Sequence, residues 1–390
     1  MGERKIGLLT AISLVVGNMV GTGIFSSLGF QIGSVPSVTI LLFLWICGGI
    51  VALCGGFSYI QLAKLFPNSG GEYHYISMVY PRLIGYFAGF VSIFAGFAAP
   101  VALSAMAFSV YFSTLVPEMD TKLTAIALIT TVTLFHCFSL KLGSRFHLLS
   151  TLIKIIVLVI FIAFGMSTRI DANPISLEYA DLQLITTKGF ATSLVYVSFA
   201  YSGWNACIYI FNEIKNPQKN IGRSILIGTA IVTILYVLLN YVFLKNVPMG
   251  QLKDVVEIGA VSAKVIFGSS GGKIIAALIS LLLVSSISAM VWVGPRVINK
   301  MLEKEGKNAS SLPAKIPLKA IAIQFVITVS ILLTDTFQQI FIYTSALLCI
   351  SSCLAVGILL MKYKVMKLTH LIAPVLFTII NIYTIIVLLS

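Results

Sequence analysis

The sequence predicts an all-α polytopic membrane protein, and three observations carry that prediction. Of 390 residues, 58% are apolar and 10% are charged, where an average soluble domain carries roughly 25% charged residues. The mean hydropathy is +1.02. The apolar runs are continuous over about 20 residues, the length a helix needs to cross ~30 Å of hydrocarbon, whereas a membrane β-barrel would alternate polar and apolar residues over ~10-residue strands. This excludes a soluble globular enzyme, a disordered chain and a secreted disulfide scaffold.

Apolar runs bounded by charged residues or Pro/Gly turns give eleven spans in order. The first, 6–33, follows Arg4 and Lys5 and stops at the Gly33–Pro36 turn; no small-residue cleavage site follows the basic start, so it is expected to stay as a span. The second, 37–65, ends at Lys64 and Pro67. The third, 83–116, lies between Arg82 and Pro117. The fourth, 121–139, and the fifth, 144–166, are separated by Lys141 and Arg145. The sixth, 185–213, and the seventh, 222–246, are separated by a loop holding Lys215 and Lys219. The eighth, 271–302, follows a segment at 255–267 that is too short and too charged to span and reads as a helical piece in an outer loop. The ninth, tenth and eleventh fall at 316–333, 336–361 and 368–389.

Charge orients these spans. With the N-terminus cytoplasmic, eighteen of the 26 Lys and Arg fall in inner loops and seven in outer loops, with Lys154 inside a span, while the acids divide five inside and eight outside. The formal charge of +13 is therefore the basic excess of cytoplasmic loops, and nucleic acid is not needed as a partner. The C-terminus is expected outside. The cysteines, Cys47, Cys54, Cys137, Cys207, Cys349 and Cys353, all sit in apolar runs without a C-x-x-C pair and read as small buried hydrophobes. Neither a metal site nor a cofactor is implied. No P-loop, G-x-S-x-G or H-E-x-x-H motif is present, so nothing points to ATP-driven transport or to enzyme chemistry.

Two spans are not simple helices. The first carries Gly17-Asn18-Met19-Val20-Gly21-Thr22-Gly23 at its middle, and the sixth carries Phe199-Ala200-Tyr201-Ser202-Gly203-Trp204-Asn205. Glycine and β-branched residues weaken helical continuity there. Close helix packing through Gly17 and Gly21, four residues apart, is the alternative reading of the first stretch. Two interrupted spans five apart point to an inverted-repeat transporter, with 1–166 as the first repeat, 185–361 as the second and 368–389 as an extra helix. A break suits a small zwitterion: the second half-helix offers free N–H groups to a carboxylate, and the first ends in carbonyls that suit an ammonium. Lys154, about ten residues into the fifth span, would cost roughly 2.5–3.5 kcal/mol at mid-bilayer, which makes it a functional candidate; snorkelling to the inner interface is the alternative.

Four stretches carry a family resemblance: Gly21-Thr22-Gly23-Ile24-Phe25, the loop from Pro67 to Tyr75 (PNSGGEYHY), the stretch from Phe199 to Ile225 with its F-A-Y-x-G-W and E-I-K-N-P elements, and SAMVWVGPRV from Ser288 to Val297. The chain resembles the amino acid–polyamine–organocation superfamily, near its bacterial L-amino acid transporter-like permeases. The resemblance implies a LeuT-type five-plus-five inverted repeat with discontinuous first and sixth spans. It implies a small-molecule amino acid as substrate, moved by exchange, uniport or proton symport across a bacterial cell membrane. By that resemblance, the amides of Gly21, Thr22 and Gly23 would hold the substrate carboxylate, and the carbonyls of Met19, Phe199, Ala200 and Ser202 the amino group. Phe199 and Tyr201 would lie at the side-chain pocket or gate. Lys154 would stand where sodium-coupled relatives bind sodium, bridging Gly17 to hydroxyls on the eighth span, which offers Ser285, Ser286 and Ser288.

The chain also departs from its relatives. Many have Asp where this chain has Ser202, which argues against a dedicated cationic amino acid or polyamine carrier. Most have twelve spans; the twelfth lies outside the repeats, so its absence leaves a transport core and removes the basis for expecting a dimer. No Cys stands in 117–121, where animal relatives join a glycoprotein subunit, so no covalent heavy chain is expected. The central motifs contain no acid, so neutral amino acids are the expected substrates; a cationic or polyamine carrier, or a sensor that binds without flux, are the alternatives. Glu72 reads as a loop-ordering acid, Glu213 and Lys215 as helix-end charges. Tyr343 and Ser345 are expected on the outer pathway or in packing, and His74, His136, His147 and His370 have no assigned role.

Overall fold

The computed structural model describes residues 5–138, 143–302, 318–334, 336–362 and 367–389. Of the charges counted above, Glu3, Arg4, Lys141, Glu303, Lys304, Glu305, Lys307, Lys315, Asp335 and Lys364 lie outside the described residues, as do the side chains of Arg145, His147 and Lys300. Among the described residues every regular element is helical: α1 (Leu8–Met19), α2 (Thr22–Ile32), α3 (Val38–Leu65), α4 (Gly71–Ser77), α5 (Arg82–Val91), a π-helical turn (Ser92–Ala98), α6 (Ala99–Ser113), α7 (Thr121–Phe138), α8 (Gly143–Ser167), α9 (Tyr179–Gln183), α10 (Lys188–Ala200), α11 (Ala206–Tyr209), α12 (Pro217–Asn246), α13 (Met249–Leu252), α14 (Ile258–Leu302), α15 (Leu318–Thr334), α16 (Phe337–Met361) and α17 (Ile372–Leu389).

Nine of the described stretches are long and apolar enough to cross a membrane. The other two predicted spans are α15, a 17-residue apolar helix, and the sixth, which is cut in its middle. Three local features refine the sequence reading. The third span contains the π-helical turn Ser92–Ala98, just before Pro100, whose missing N–H cannot close an α-helical bond to Gly96. The outer-loop piece expected at 255–267 is helical from Ile258 and is separated from the eighth span by a kink at Gly268, where φ is +78° and the backbone leaves the helix, so α14 is two helices joined at that residue. The loop before the seventh span places Asn216 at φ +48°, with Pro217 at the first helical position of α12, where an absent N–H costs nothing.

Both expected breaks are present. The first span is helical to Met19 and again from Thr22. The sixth is helical to Ala200 and resumes at Ala206. α1 touches α11 and α2 touches α10, so the first half of one span meets the second half of the other and the two run antiparallel. They cross tightly: a Cβ on Gly23 would stand 2.4 Å from the Ala200 Cα, and one on Gly203, at φ +101°, 3.0 Å from the Asn18 backbone. α12, α8 and α14 pack around α1, and α14 and α16 pack on α6, which encloses the crossing in a core of apolar side chains. At one end, the Ile6 N–H donates to the Glu213 carbonyl at 2.8 Å and the Lys215 N–H to the Ile6 carbonyl at 2.9 Å, tying the segment before α1 to the loop after the sixth span.

The Gly23 contact is with backbone, so a methyl group cannot be accommodated by a rotamer change. Gly23→Ala should cost roughly 1–3 kcal/mol, read as a lower thermal midpoint in detergent. Gly250→Ala, in open space, should leave the midpoint where it is; equal midpoints for both variants would contradict the close crossing.

Candidate functional site

A break in a membrane helix frees backbone groups that must find partners inside the protein. The last carbonyls of α1 find theirs in three side chains. The Lys154 ammonium, fully buried on α8, donates to the Gly17 carbonyl at 3.3 Å, the Val20 carbonyl at 3.1 Å and the Ser286 hydroxyl at 2.7 Å. Ser286 itself lies 3.0 Å from the Val20 carbonyl. The Tyr236 hydroxyl, on α12, lies 2.5 Å from the Met19 carbonyl and 3.1 Å from the Ala200 carbonyl, so one hydroxyl faces the loose ends of both broken spans.

These contacts correct part of the sequence reading. Ser285 and Ser288 do not reach Lys154: Ser285 donates to the Ser150 hydroxyl at 2.9 Å, and Ser288 pairs with His136 Nε2 at 2.8 Å. Helical periodicity is the reason. Neighbours on a helix point about 100° apart, so only one of the three serines can face α1, and that one is Ser286. The carbonyls of Met19 and Ala200, expected to hold an amino group, face Tyr236, and the Phe199 carbonyl receives the Ser202 N–H at 2.8 Å. Thr22 turns its hydroxyl to Ser104, at 2.8 Å.

Beside the crossing lies a cavity of about 910 Å3, counted as all non-atom space and including solvent at its mouth. Of the residues named from sequence, Phe199, Tyr201 and Ser202 are on its wall; Met19, Gly21, Thr22, Gly23 and Ala200 are not, because α2 and α10 are packed shut against each other there. Lys154 and Gly17 lie behind the wall, joined to each other. The sequence missed Asn18, Asn205, Asn381 and Glu72 as wall residues, while Ser345, read as either pathway or packing, is on the wall. Asn18 and Asn205 stand inside the quoted break motifs and could have been found there, as polar side chains at membrane depth. Asn381 and Phe377 come from the eleventh span, expected to stand outside the repeats, and Tyr343 is 56% exposed while Ser345 is buried on the wall.

Glu72 reaches the cavity because Gly70 and Gly71 both adopt positive φ, +119° and +59°, a backbone path that side chains other than hydrogen disfavour. The turn carries α4 inward, and Glu72 is 2% exposed. Its carboxylate accepts from the Tyr59 hydroxyl at 2.6 Å, the Ser351 hydroxyl at 2.7 Å and the Asn205 amide at 3.2 Å. Burial pushes this carboxyl above its ordinary range, and the three hydrogen bonds pull against that shift. The central motifs contain no acid, but the cavity wall does: a loop residue in sequence is a wall residue in space.

Two contact sets close the ends. On the α2 side, Phe30 stacks on Tyr196 and Phe337, and Phe341 meets Phe199 with ring centroids 4.2 Å apart. On the α1 side, Arg296 pairs with Glu213 at 2.6 Å and lies over the Trp292 ring, next to the Ile6–Ile214 bridge.

Two antiparallel broken spans, crossing beside a cavity in a bundle of membrane-length helices, define a polytopic membrane permease. The chain belongs to the amino acid permease family, whose sequence profile matches residues 6–390. It is similar to the serine/threonine exchanger SteT of Bacillus subtilis, at 28% identity over 78% of this chain and 69% of that protein. It is also similar to b(0,+)-type amino acid transporter 1 of Mus musculus, at 29% identity over 62% of this chain and 51% of that protein. A third relative is large neutral amino acids transporter small subunit 2 of Homo sapiens, at 29% identity over 62% of this chain and 47% of that protein. The chain thus matches about half the length of these animal relatives.

Loss of the Lys154 amine should leave the Gly17 carbonyl buried and unpaired. Lys154→Met is expected to destabilise the protein by roughly 2–3 kcal/mol and Ser286→Ala by about 1 kcal/mol, both read as thermal midpoints in detergent. Ser285→Ala, which removes only a link to Ser150, should fall below Ser286→Ala; the reverse order would contradict the assignment of Ser286 as the lysine's partner.

Proposed function

We propose that this protein is a secondary transporter that moves neutral α-amino acids by alternating access, independently of sodium. The observation that carries this reading is the crossing of the two broken spans at the cavity. A substrate carrying both an ammonium and a carboxylate finds ends of both signs there: helix N-termini favour the anion and unwound carbonyls the cation. Ser202 lies on the wall. The amides of Gly21, Thr22 and Gly23 come within reach once α2 separates from α10, and the aromatic cluster on that side is what such a movement parts. The ion pair and β-bridge on the other side are the corresponding closure.

Sodium independence is supported by Lys154. Its ammonium is held by two carbonyls and a hydroxyl, the kind of oxygen set a monovalent cation would take, so the protein carries that charge itself. Neutral substrates are supported by the rest of the wall, which is mainly apolar, aromatic or amide, and by Glu72, whose carboxylate already accepts from three donors. Carriers that pair with a second subunit, and the serine and threonine handled by the Bacillus exchanger, are properties of those relatives; the small polar amino acids serve here as the first probes.

The reading is checked in proteoliposomes loaded with unlabelled amino acids and offered a labelled panel that includes serine, leucine, lysine and a polyamine. Uptake of neutral amino acids that needs internal amino acid and ignores sodium is the expected result. Lys154→Ala should lower that uptake by about tenfold or more, since it removes the two hydrogen bonds that the lysine gives to the carbonyls of the broken span. Uptake into empty vesicles along a proton gradient would make it a symporter, preference for lysine or the polyamine would overturn the neutral substrate class, and saturable binding without flux would leave a sensor.

A further inference from the structure

We propose that Glu72 is a proton-binding site of the cavity, and that its charge state decides whether Asn205, in the break of the sixth span, is tied to α3 and α16. The inference rests on the transport reading above and goes beyond it, because that reading uses Glu72 only as a carboxylate already occupied by three donors and gives it no proton chemistry. The geometry is a three-way junction. Oε1 receives the Tyr59 hydroxyl of α3 and the Asn205 amide of the sixth-span break, while Oε2 receives the Ser351 hydroxyl of α16. An ionised carboxylate accepts at both oxygens and donates nowhere, so it takes all three groups as donors; with a proton on Oε1 it can no longer accept from both Tyr59 and Asn205.

All three donors are neutral. The titratable groups that feel the Glu72 charge are Tyr59 on α3, Tyr75 on α4 and Tyr209 on α11; the packed elements also carry Lys64 on α3, Tyr73 and His74 on α4, Arg82 on α5, Lys264, Lys273 and Arg296 on α14, and Cys349, Cys353 and, at its end, Lys362 on α16. Arg82 is engaged with Tyr86, Arg296 with Glu213, and Lys362 with the Phe66 ring. The influences that act on the Glu72 carboxyl are burial and its three hydrogen bonds. A buried carboxylate held by neutral donors takes up a proton more readily than an exposed one. The proton has a route, since Glu72 is on the cavity wall.

A proton on Oε1, the oxygen that Tyr59 and Asn205 share, turns it into a donor and withdraws their common acceptor. Asn205 makes the longer of those two bonds, at 3.2 Å, and is the partner released first. Asn205 sits directly before α11, the short second half of the sixth span, and its release removes the link through Glu72 from that half to α3 and α16, while Tyr201, earlier in the break, keeps its bond to the Trp45 carbonyl of α3 at 2.9 Å. Tyr209 on α11 packs against Phe97 of the π-helical turn with ring centroids 5.2 Å apart, so that half also carries an aromatic face of the cavity. Acid on the cavity side thus accelerates the step in which the sixth span moves.

The test uses the full chain in proteoliposomes with labelled L-serine as probe and a stepped internal pH. Wild-type exchange should rise by about tenfold between pH 7.5 and 5.5, the ordinary worth of one charge-assisted hydrogen bond. Glu72→Gln, which cannot ionise, should be fast and flat across that range. Asn205→Ala should be fast at pH 7.5, and, having lost one of the bonds that favour the carboxylate, its Glu72 should titrate at a higher pH than in the wild type. A second readout needs no flux: the fluorescence of Trp204, next to Asn205 and edge-on to Tyr59 at 4.7 Å, should titrate with pH in detergent, and the titration should vanish in Glu72→Gln. A Gln variant that keeps the wild-type pH profile overturns the proposal, as does a wild type with no pH dependence in either readout. If Glu72→Gln does not fold, a flat, slow Asn205→Ala overturns it instead. A Trp204 titration without any serine flux would refute the transport reading and leave the proton site standing.

Discussion

Backbone polarity inside a membrane is the constraint on which the structure depends. A continuous helix satisfies its own N–H and C=O groups; an interrupted one does not, and water cannot repair the deficit in hydrocarbon. Two spans here are interrupted at mid-depth, and the surrounding helices are arranged to answer them. Lys154 on α8, Ser286 on α14 and Tyr236 on α12 supply donors to the carbonyls of α1. The glycines at the crossing let the two breaks touch, so that a single tyrosine hydroxyl stands within reach of Met19 and Ala200 together. The costly lysine is retained because it satisfies two carbonyls at once, which a neutral side chain of the same length does not do.

The same constraint separates rigid from movable parts. α3, α12 and α8 are long, uninterrupted helices, with α12 packed on both of the others. α1 packs on α12 and α8, while the breaks themselves are joined to their surroundings by hydrogen bonds and ring contacts, which are individually weak and exchangeable. The two closures of the cavity differ in kind: one is a stack of aromatic rings, and the other is an ion pair with a short backbone bridge. A bundle that can exchange one closure for the other without unfolding its scaffold is what alternating access requires.

Much of the fold was legible in the sequence because hydropathy and glycine are strong signals in a membrane. The uninterrupted apolar runs marked the spans, and Gly21-Thr22-Gly23 and Tyr201-Ser202-Gly203 marked the breaks. The site was legible only where side-chain chemistry and chain position coincide, as for Phe199, Tyr201, Ser202 and Lys154. Glu72 was misjudged because a loop position says nothing about depth; two left-handed glycines turn it inward. Ser285 and Ser288 were named with Ser286 because sequence supplies three adjacent hydroxyls without the rotational phase of the helix that selects one.

By itself, then, the sequence determined that the chain crosses a membrane as helices, that its first and sixth spans break, and that one lysine lies at membrane depth. Composition and local propensity suffice for these, since each depends on residues near one another in the chain. Only the tertiary structure decided which hydroxyl meets Lys154, that Tyr236 serves both breaks, that the glycine amides are closed off while Glu72 and Asn381 line the cavity, and that Asn205 is tied to α3 and α16. Those outcomes depend on helix phase and on contacts between residues far apart in sequence, and the packing of the whole bundle sets both.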